Sequence, residues 1–169
     1  MVVHPLTVVP IGVIRSPFKE ATGTPIQPCR ALGTEGTVEL DPIWAEALTD
    51  LAGFDRVWLI FWFSRASEAR SLVVPYRDVM PHGLFATRVP ARPNPIGMSN
   101  VRLLGVEGHV LRVAELDILD GTPLLDIKPY VPQYDNYPVH RCGWLDYVPD
   151  RPVVADARFE RKASEPTSA

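Results

Sequence analysis

Phe54-Asp55-Arg56-Val57-Trp58-Leu59-Ile60-Phe61-Trp62-Phe63 is the stretch from which the fold is read. Val57 to Phe63 is the longest uninterrupted apolar run in the chain. It is dense in aromatic and branched side chains and is bounded by Gly53 and Ser64, so it reads as a buried central strand. It falls far short of the about 20 apolar residues that a membrane-spanning helix needs.

Working outward, the flanking segments are short and frequently broken. Upstream, Asp41 is a good helix N-cap and Pro42 a good first helical residue. Ile43, Trp44, Ala47, Leu48 and Leu51 follow at helical spacing and predict a helix ending at Gly53. Before it, Leu6 to Arg15 and Thr37 to Leu40 read as strands. They are separated by a long irregular segment over 17–36, rich in Pro and Gly, and such segments in compact domains are often functional. Downstream, 64–76 is mixed and reads as loop or short helix. Leu84 to Arg88, Gly97 to Val106, His109 to Leu116 and Leu124 to Lys128 read as strands, and Glu107-Gly108 forms a hairpin-like turn. Proline occurs 18 times, about a tenth of the chain, against a usual share of roughly 5%. Proline breaks helices and sits at strand ends. The pattern predicts an all-β fold, a small β-barrel with one short helix and long irregular loops. A single domain spans 1–160, followed by a disordered tail over 161–169.

Composition narrows the class. The 169 residues suit one domain with a real core, and 46% hydrophobic with 22% charged is an ordinary globular mix. His4 and Pro5 interrupt the N-terminal apolar stretch and no basic region precedes it, so no signal peptide is expected. A cytoplasmic protein is expected. Cys29 and Cys142 form no CxxC pair, and His4, His82, His109 and His140 stand in no metal-ligand spacing; no metal is expected. Net charge is −3, which does not favour a nucleic-acid partner. Of 17 basic residues, however, all but Lys19, Lys128 and Lys162 are arginine, whose planar fork suits phosphate and base recognition.

Two dense motifs carry the chemistry. In Phe85-Ala86-Thr87-Arg88-Val89-Pro90-Ala91-Arg92-Pro93-Asn94-Pro95-Ile96-Gly97-Met98-Ser99, proline locks the backbone at Arg92 and Asn94. The segment is either a site or a rigid loop with two solvated arginines. In Leu116-Asp117-Ile118-Leu119-Asp120-Gly121-Thr122-Pro123-Leu124-Leu125-Asp126-Ile127-Lys128-Pro129-Tyr130, Asp120-Gly121 is a turn signal. Asp126, Lys128 and Tyr130 alternate and share one face of a strand, as a site or as a solvated barrel face. No GxGxxG, GxxxxGK[ST] or GxSxG motif is present.

These two motifs, with Ile11-Gly12-Val13-Ile14-Arg15-Ser16-Pro17-Phe18-Lys19 and Gly53-Phe54…Trp58-Leu59-Ile60-Phe61, resemble the TsaA-like family, whose members include tRNA (adenine-N6) methyltransferases. The resemblance runs from about residue 9 to 132. It implies a β-barrel that binds S-adenosylmethionine, a homodimer with the cofactor close to the partner subunit, and methyl transfer to the 6-nitrogen of threonylcarbamoyladenosine beside the tRNA anticodon. It implies the short form, without the C-terminal domain of longer members. The family's cofactor pocket maps to Pro25, Ile26 and Gln27, to Ser64 and Arg65, to Arg88, and to Asp117, Ile118, Leu119, Asp120, Gly121 and Thr122. Ile26 stands where the family pattern has arginine, and Ser64 where it has histidine.

Methyl transfer to a carbamoylated adenine nitrogen is helped by a base within hydrogen-bond reach and by in-line positioning. Asp126 is the expected base, with Lys128 or Tyr130 orienting it; the alternative is an Asp126–Lys128 ion pair that only holds the strand. Arg88 and Arg92, with Asn94 beside them, would hold the acceptor's carboxylate or phosphates. Two other functions stay open: a methyltransferase acting on a protein or small molecule, and a non-catalytic dimeric binding module.

Overall fold

Six of the expected strands join in one closed sheet. The computed structural model describes residues 6–150 and 153–161. Its main strands are β1 (Gly12–Arg15), β2 (Glu35–Leu40), β3 (Arg56–Trp62), β6 (Ile96–Glu107), β7 (Val110–Ala114) and β8 (Thr122–Pro129). They form a closed barrel in the order β1-β2-β7-β6-β3-β8, antiparallel at every pairing. Closure leaves no sheet edge to pair with other chains. A small hairpin, β4 (Leu72–Val73) with β5 (His82–Gly83), stands apart from it. One α-helical turn, α1 (Pro132–Asp135), follows β8.

The quoted apolar run is β3, at the centre of the sheet between β6 and β8. Its side chains alternate. Val57, Leu59 and Phe61 point into the barrel and are buried, while Trp58, Ile60 and Trp62 keep exposure on the outer wall. Ile14, Val38, Val101, Leu111, Val113, Leu116 and Leu124 complete the core. A second, smaller cluster of Val73, Leu84, Val89, Ala91 and Phe159 packs with Tyr76.

Three expected elements differ. The first strand begins only at Gly12, because Leu6 to Pro10 pair with no barrel strand and Ile11 makes only single bonds to Leu124 and Asp41. The helix over 41–53 is two 3-10 turns, Pro42–Leu48 and Leu51–Gly53. Asp41 does cap it, accepting from Ile43 N at 3.1 Å. Asp50 then adopts a left-handed φ of 65° and Thr49 turns its hydroxyl back onto the Glu46 carbonyl, so the helix is interrupted. Its apolar face is buried only at its C-terminal end, where Leu48 joins the core and Leu51 packs against it, while Ile43 is 74% exposed, and a short helix packed over so little of its face is not held as a continuous α-helix. Leu84 to Arg88 is not a strand. Leu84–Ala86 forms a 3-10 turn, which buries Leu84 and is closed by Thr87, whose amide and hydroxyl both donate to the Leu84 carbonyl. The expected tail lies outside the described residues from 162 onward. Cys29 and Cys142 are free and exposed.

Candidate functional site

A cavity of about 770 Å³ opens at one end of the barrel, within the about 300–1,000 Å³ usual for small-molecule sites. The barrel supplies its floor. Phe61 of β3 and Gly97 and Ser99 of β6 lie on inward rows, with Thr122 at the start of β8. Gly97 is required by this packing: a Cβ there would fall 2.2 Å from the Phe61 ring.

Asp117 reaches the cavity because the chain reverses after β7. Glu115 takes a left-handed φ of 63°, which a non-glycine residue adopts only at a cost. Arg56 holds it, with Nη2 2.7 Å from Glu115 Oε2 and 2.9 Å from the Asn100 carbonyl. Leu116 then turns into the core and Asp117 faces the cavity. Ser99 Oγ donates to Asp117 Oδ1 at 2.7 Å. Burial pushes the Asp117 carboxyl up to about 6, against the Ser99 hydrogen bond and the field of Arg88, which pull it down.

The side walls come from loops. Ala21 to Gln27, Ser64 to Ala66 and Phe85 to Arg92 contribute, as do Trp144 and Leu145 and a strap over 153–161. Arg88 Nη1 donates to Gln27 Oε1 at 3.0 Å. Arg92 donates to the Thr87 carbonyl at 3.0 Å and lies over the Phe85 ring. Trp144 stacks on His82 and donates its indole N–H to the Ala86 carbonyl at 2.8 Å. The strap is pinned at both ends. Ala155 exchanges amide bonds with Gly23 and Thr24, and Ser67 and Arg161 donate across to Phe159 and Arg65. Glu160 pairs with Arg65, and Phe159 is buried in the second cluster.

Of the residues that the sequence motifs single out, Pro25, Ile26, Gln27, Ser64, Arg65, Arg88, Asp117, Ile118, Leu119, Thr122 and Arg92 line this one cavity. Asp120 and Gly121 do not. Asp120 instead clamps the end of β1, accepting from Ser16 N at 3.1 Å and Lys19 Nζ at 2.7 Å, and the Lys19 hydrogen bond holds its carboxyl below the usual range. Gly121 has a φ of 76° and donates to the Ile14 carbonyl. Asn94 is exposed and outside the cavity. Asp126, Lys128 and Tyr130 lie away from it on the outer wall. Asp126 and Lys128 form an exposed ion pair at 2.8 Å, and Tyr130 packs edge-on to Trp58. Sequence reasoning did not assign Ser99, Phe61, Trp144 or the strap. Ser99 was readable only as the end of the first motif, and the strap carries no local signal.

Among the described residues no group of three or more His, Cys, Asp or Glu side chains could hold a metal ion, and no helix is long and apolar enough to cross a membrane. The cavity's donor set suits an adenosylated amino acid. Arg88 can take a carboxylate, Asp117 a cation, and the aromatic and proline-lined walls a purine.

Residues 13–136 match the family model described as the tRNA-methyltransferase O N-terminal domain. A Pyrococcus abyssi protein named "Probable S-adenosyl-L-methionine-binding protein" is 54% identical over 81% of this chain and 74% of its own length. The Escherichia coli tRNA (adenine(37)-N6)-methyltransferase is 41% identical over 82% of this chain and 63% of its own. The crystal structure of TrmO from Pseudomonas aeruginosa superimposes with a TM-score of 0.70 at 44% identity, covering 83% of this chain and 62% of that one. The chain thus spans about three-fifths of the length of these two methyltransferases.

Proposed function

Because the chain belongs to the tRNA-methyltransferase O N-terminal domain family, we propose that its cavity binds S-adenosylmethionine for methyl transfer to tRNA. The acceptor is the 6-nitrogen of threonylcarbamoyladenosine beside the anticodon, and the protein works in the cytoplasm. The observation that carries this reading is the gathering of Gln27, Arg88 and Asp117 from three separate segments into one cavity at the barrel mouth. When bound, the cofactor supplies an electrophilic methyl group on a sulfonium. Pro25, Ile26, Gln27, Ser64, Arg65, Arg88 and the 117–122 turn hold it, with Asp120 and Gly121 acting from behind by fixing that turn. Arg88 offers its remaining donors to a carboxylate. Arg92, with Asn94 beside it on the rim, faces the acceptor.

A homodimer completes this reading. Trp62, Ile96 and Met98 form an exposed apolar strip that runs from the outer wall to the cavity mouth, which Ile96 and Met98 also line, of the kind that marks an interaction surface. Ile60 lies between Met98 on one neighbouring strand and Asp126 on the other, and Trp58 between Asn100 and Lys128. Two copies joined along this strip would set Asp126, Lys128 and Tyr130 of one protomer beside the other's cavity, where Asp126 can take the acceptor's proton. Met98→Glu should then yield a monomer by sedimentation.

Net charge −3 favours, as a second reading, an acceptor other than RNA. Transfer of labelled methyl from S-adenosylmethionine to bulk tRNA tests the first reading. Labelled tRNA carrying the modified adenosine supports it. Cofactor binding without transfer to tRNA shifts the reading to another acceptor, and no cofactor binding shifts it to a binding module.

A further inference from the structure

Two carboxylates line the cavity among the described residues, Asp117 and Glu160. Glu160 is paired with Arg65, whereas among the described residues Asp117 has no cationic side chain within ion-pair distance. Four arginines line the same cavity. Arg65 is held by Glu160 and the Lys19 carbonyl, and Arg77 by Asp150 and the Pro149 carbonyl. Arg88 is held by Gln27, and Arg92 by backbone carbonyls. A cation entering such a cavity meets a net positive lining, and Asp117 is the anion there that no ion pair among the described residues neutralises.

The methyl donor and its demethylated product share adenosine and amino-acid parts. They differ by one methyl group and one positive charge at sulfur. Resting on the S-adenosylmethionine reading above, we infer that Asp117 is the residue that separates the two, its carboxylate facing the sulfonium and so favouring the cationic donor over the neutral thioether. The surroundings strengthen that discrimination. Phe61 lies against Gly97 on one side and Ser99 fixes one carboxylate oxygen, so the charge acts in an apolar, pre-set environment where Coulomb interactions are stronger than in water. A preference of this sign also helps the product to leave after transfer.

The inference has a proton signature. With its carboxyl pushed up to about 6 by burial, Asp117 is about half protonated near pH 6 in the free protein. Arg88 is the charged group whose field reaches it, and Ser99 is its hydrogen-bond donor. A cation bound opposite Asp117 favours the ionised form and expels that proton. The thioether does not.

The test is calorimetric titration of the intact chain with S-adenosylmethionine and with S-adenosylhomocysteine, at pH 6 and pH 8, in buffers of differing ionisation heat. The wild type should prefer the donor by about tenfold or more at pH 8. That preference should shrink at pH 6, and proton release should accompany the donor alone. In Asp117→Asn the ratio should fall to about one and the proton release should vanish. Ser99→Ala keeps the carboxylate but removes its donor, so its proton-release window should move to higher pH; this variant carries the test if Asp117→Asn does not fold. An unchanged donor-to-product ratio in Asp117→Asn, or equal weakening of both ligands, overturns the inference. Neither ligand binding to the wild type overturns the cofactor reading and this inference together.

Discussion

The cavity has two walls of different construction. On one side Phe61, Gly97, Ser99 and Thr122 stand in the closed barrel: Phe61 is laddered to both neighbouring strands, and Gly97, Ser99 and Thr122 to one, all with side chains or backbone packed into the barrel interior. On the other side the strap over 153–161 hangs on two isolated bridges, Pro25 with Val154 and Ala66 with Glu160, and on one buried aromatic anchor, Phe159. A ladder position is fixed many times over, so a single change there distorts the site without releasing it. A strap position is fixed a few times, so a single change there can free the whole segment by local opening. The barrel wall is therefore where geometry should be set, and the strap wall where the cavity should open first.

Phe159→Ala should produce the largest effect, about 3 kcal/mol for a buried aromatic truncation. If the two walls are independent, the loss appears as faster amide hydrogen exchange at 153–161 and at Gly23 and Ser67, whose amides donate to the strap, with β3 and β6 unchanged. Acceleration throughout the barrel would merge the two walls into one cooperative unit.

Asp117 sharpens the comparison from the barrel side through pH. Its folded carboxyl is raised from 3.8 to about 6, so folding favours the protonated form. Stability from this group is complete below about pH 4 and is lost as pH rises through 6. The loss is about 3 kcal/mol by the usual conversion of about 1.4 kcal/mol per pKa unit. Asp117→Asn should escape it. Chemical denaturation at pH 4.5 and 7.5 should show the variant gaining on the wild type as pH rises, and a constant difference would mean that Asp117 titrates normally. Gly97→Ala should cost about 1–3 kcal/mol by overpacking against Phe61 and weaken cofactor binding without loosening the strap. Glu160→Gln should cost less than about 1 kcal/mol, because its pair with Arg65 is partly exposed, and its effect should be confined to the strap.

The same contrast explains what was legible in the sequence. The barrel could be read because ladder residues announce themselves locally, as the apolar run at 57–63 and the Glu107-Gly108 turn do. The proline-locked Arg88 to Pro95 segment and the Asp120-Gly121 turn were equally visible, and they located Arg88 and Arg92 and the flanking Asp117, Ile118, Leu119 and Thr122 in the lining, whereas Pro25 to Gln27, Ser64 and Arg65 came from the family resemblance. The helix over 41–53 is present as two 3-10 pieces: its spacing correctly marked Leu48 and Leu51 as core-facing, but the break at Thr49-Asp50 carries no signal in that spacing. Leu84 to Arg88 misled because a short apolar run does not distinguish a strand from a 3-10 turn. Asp126, Lys128 and Tyr130 do share a face, but alternation alone cannot say which side of a barrel wall faces the cavity. Ser99 as the partner of Asp117, and the strap as a wall, depend on contacts between distant segments, and no local pattern encodes them.

The most direct measurement is calorimetric titration of the intact chain with S-adenosylmethionine. Saturable binding with one site per chain, weakened in Phe159→Ala, is the predicted result. No binding at millimolar cofactor would contradict the assignment of this cavity as a methyl-donor site.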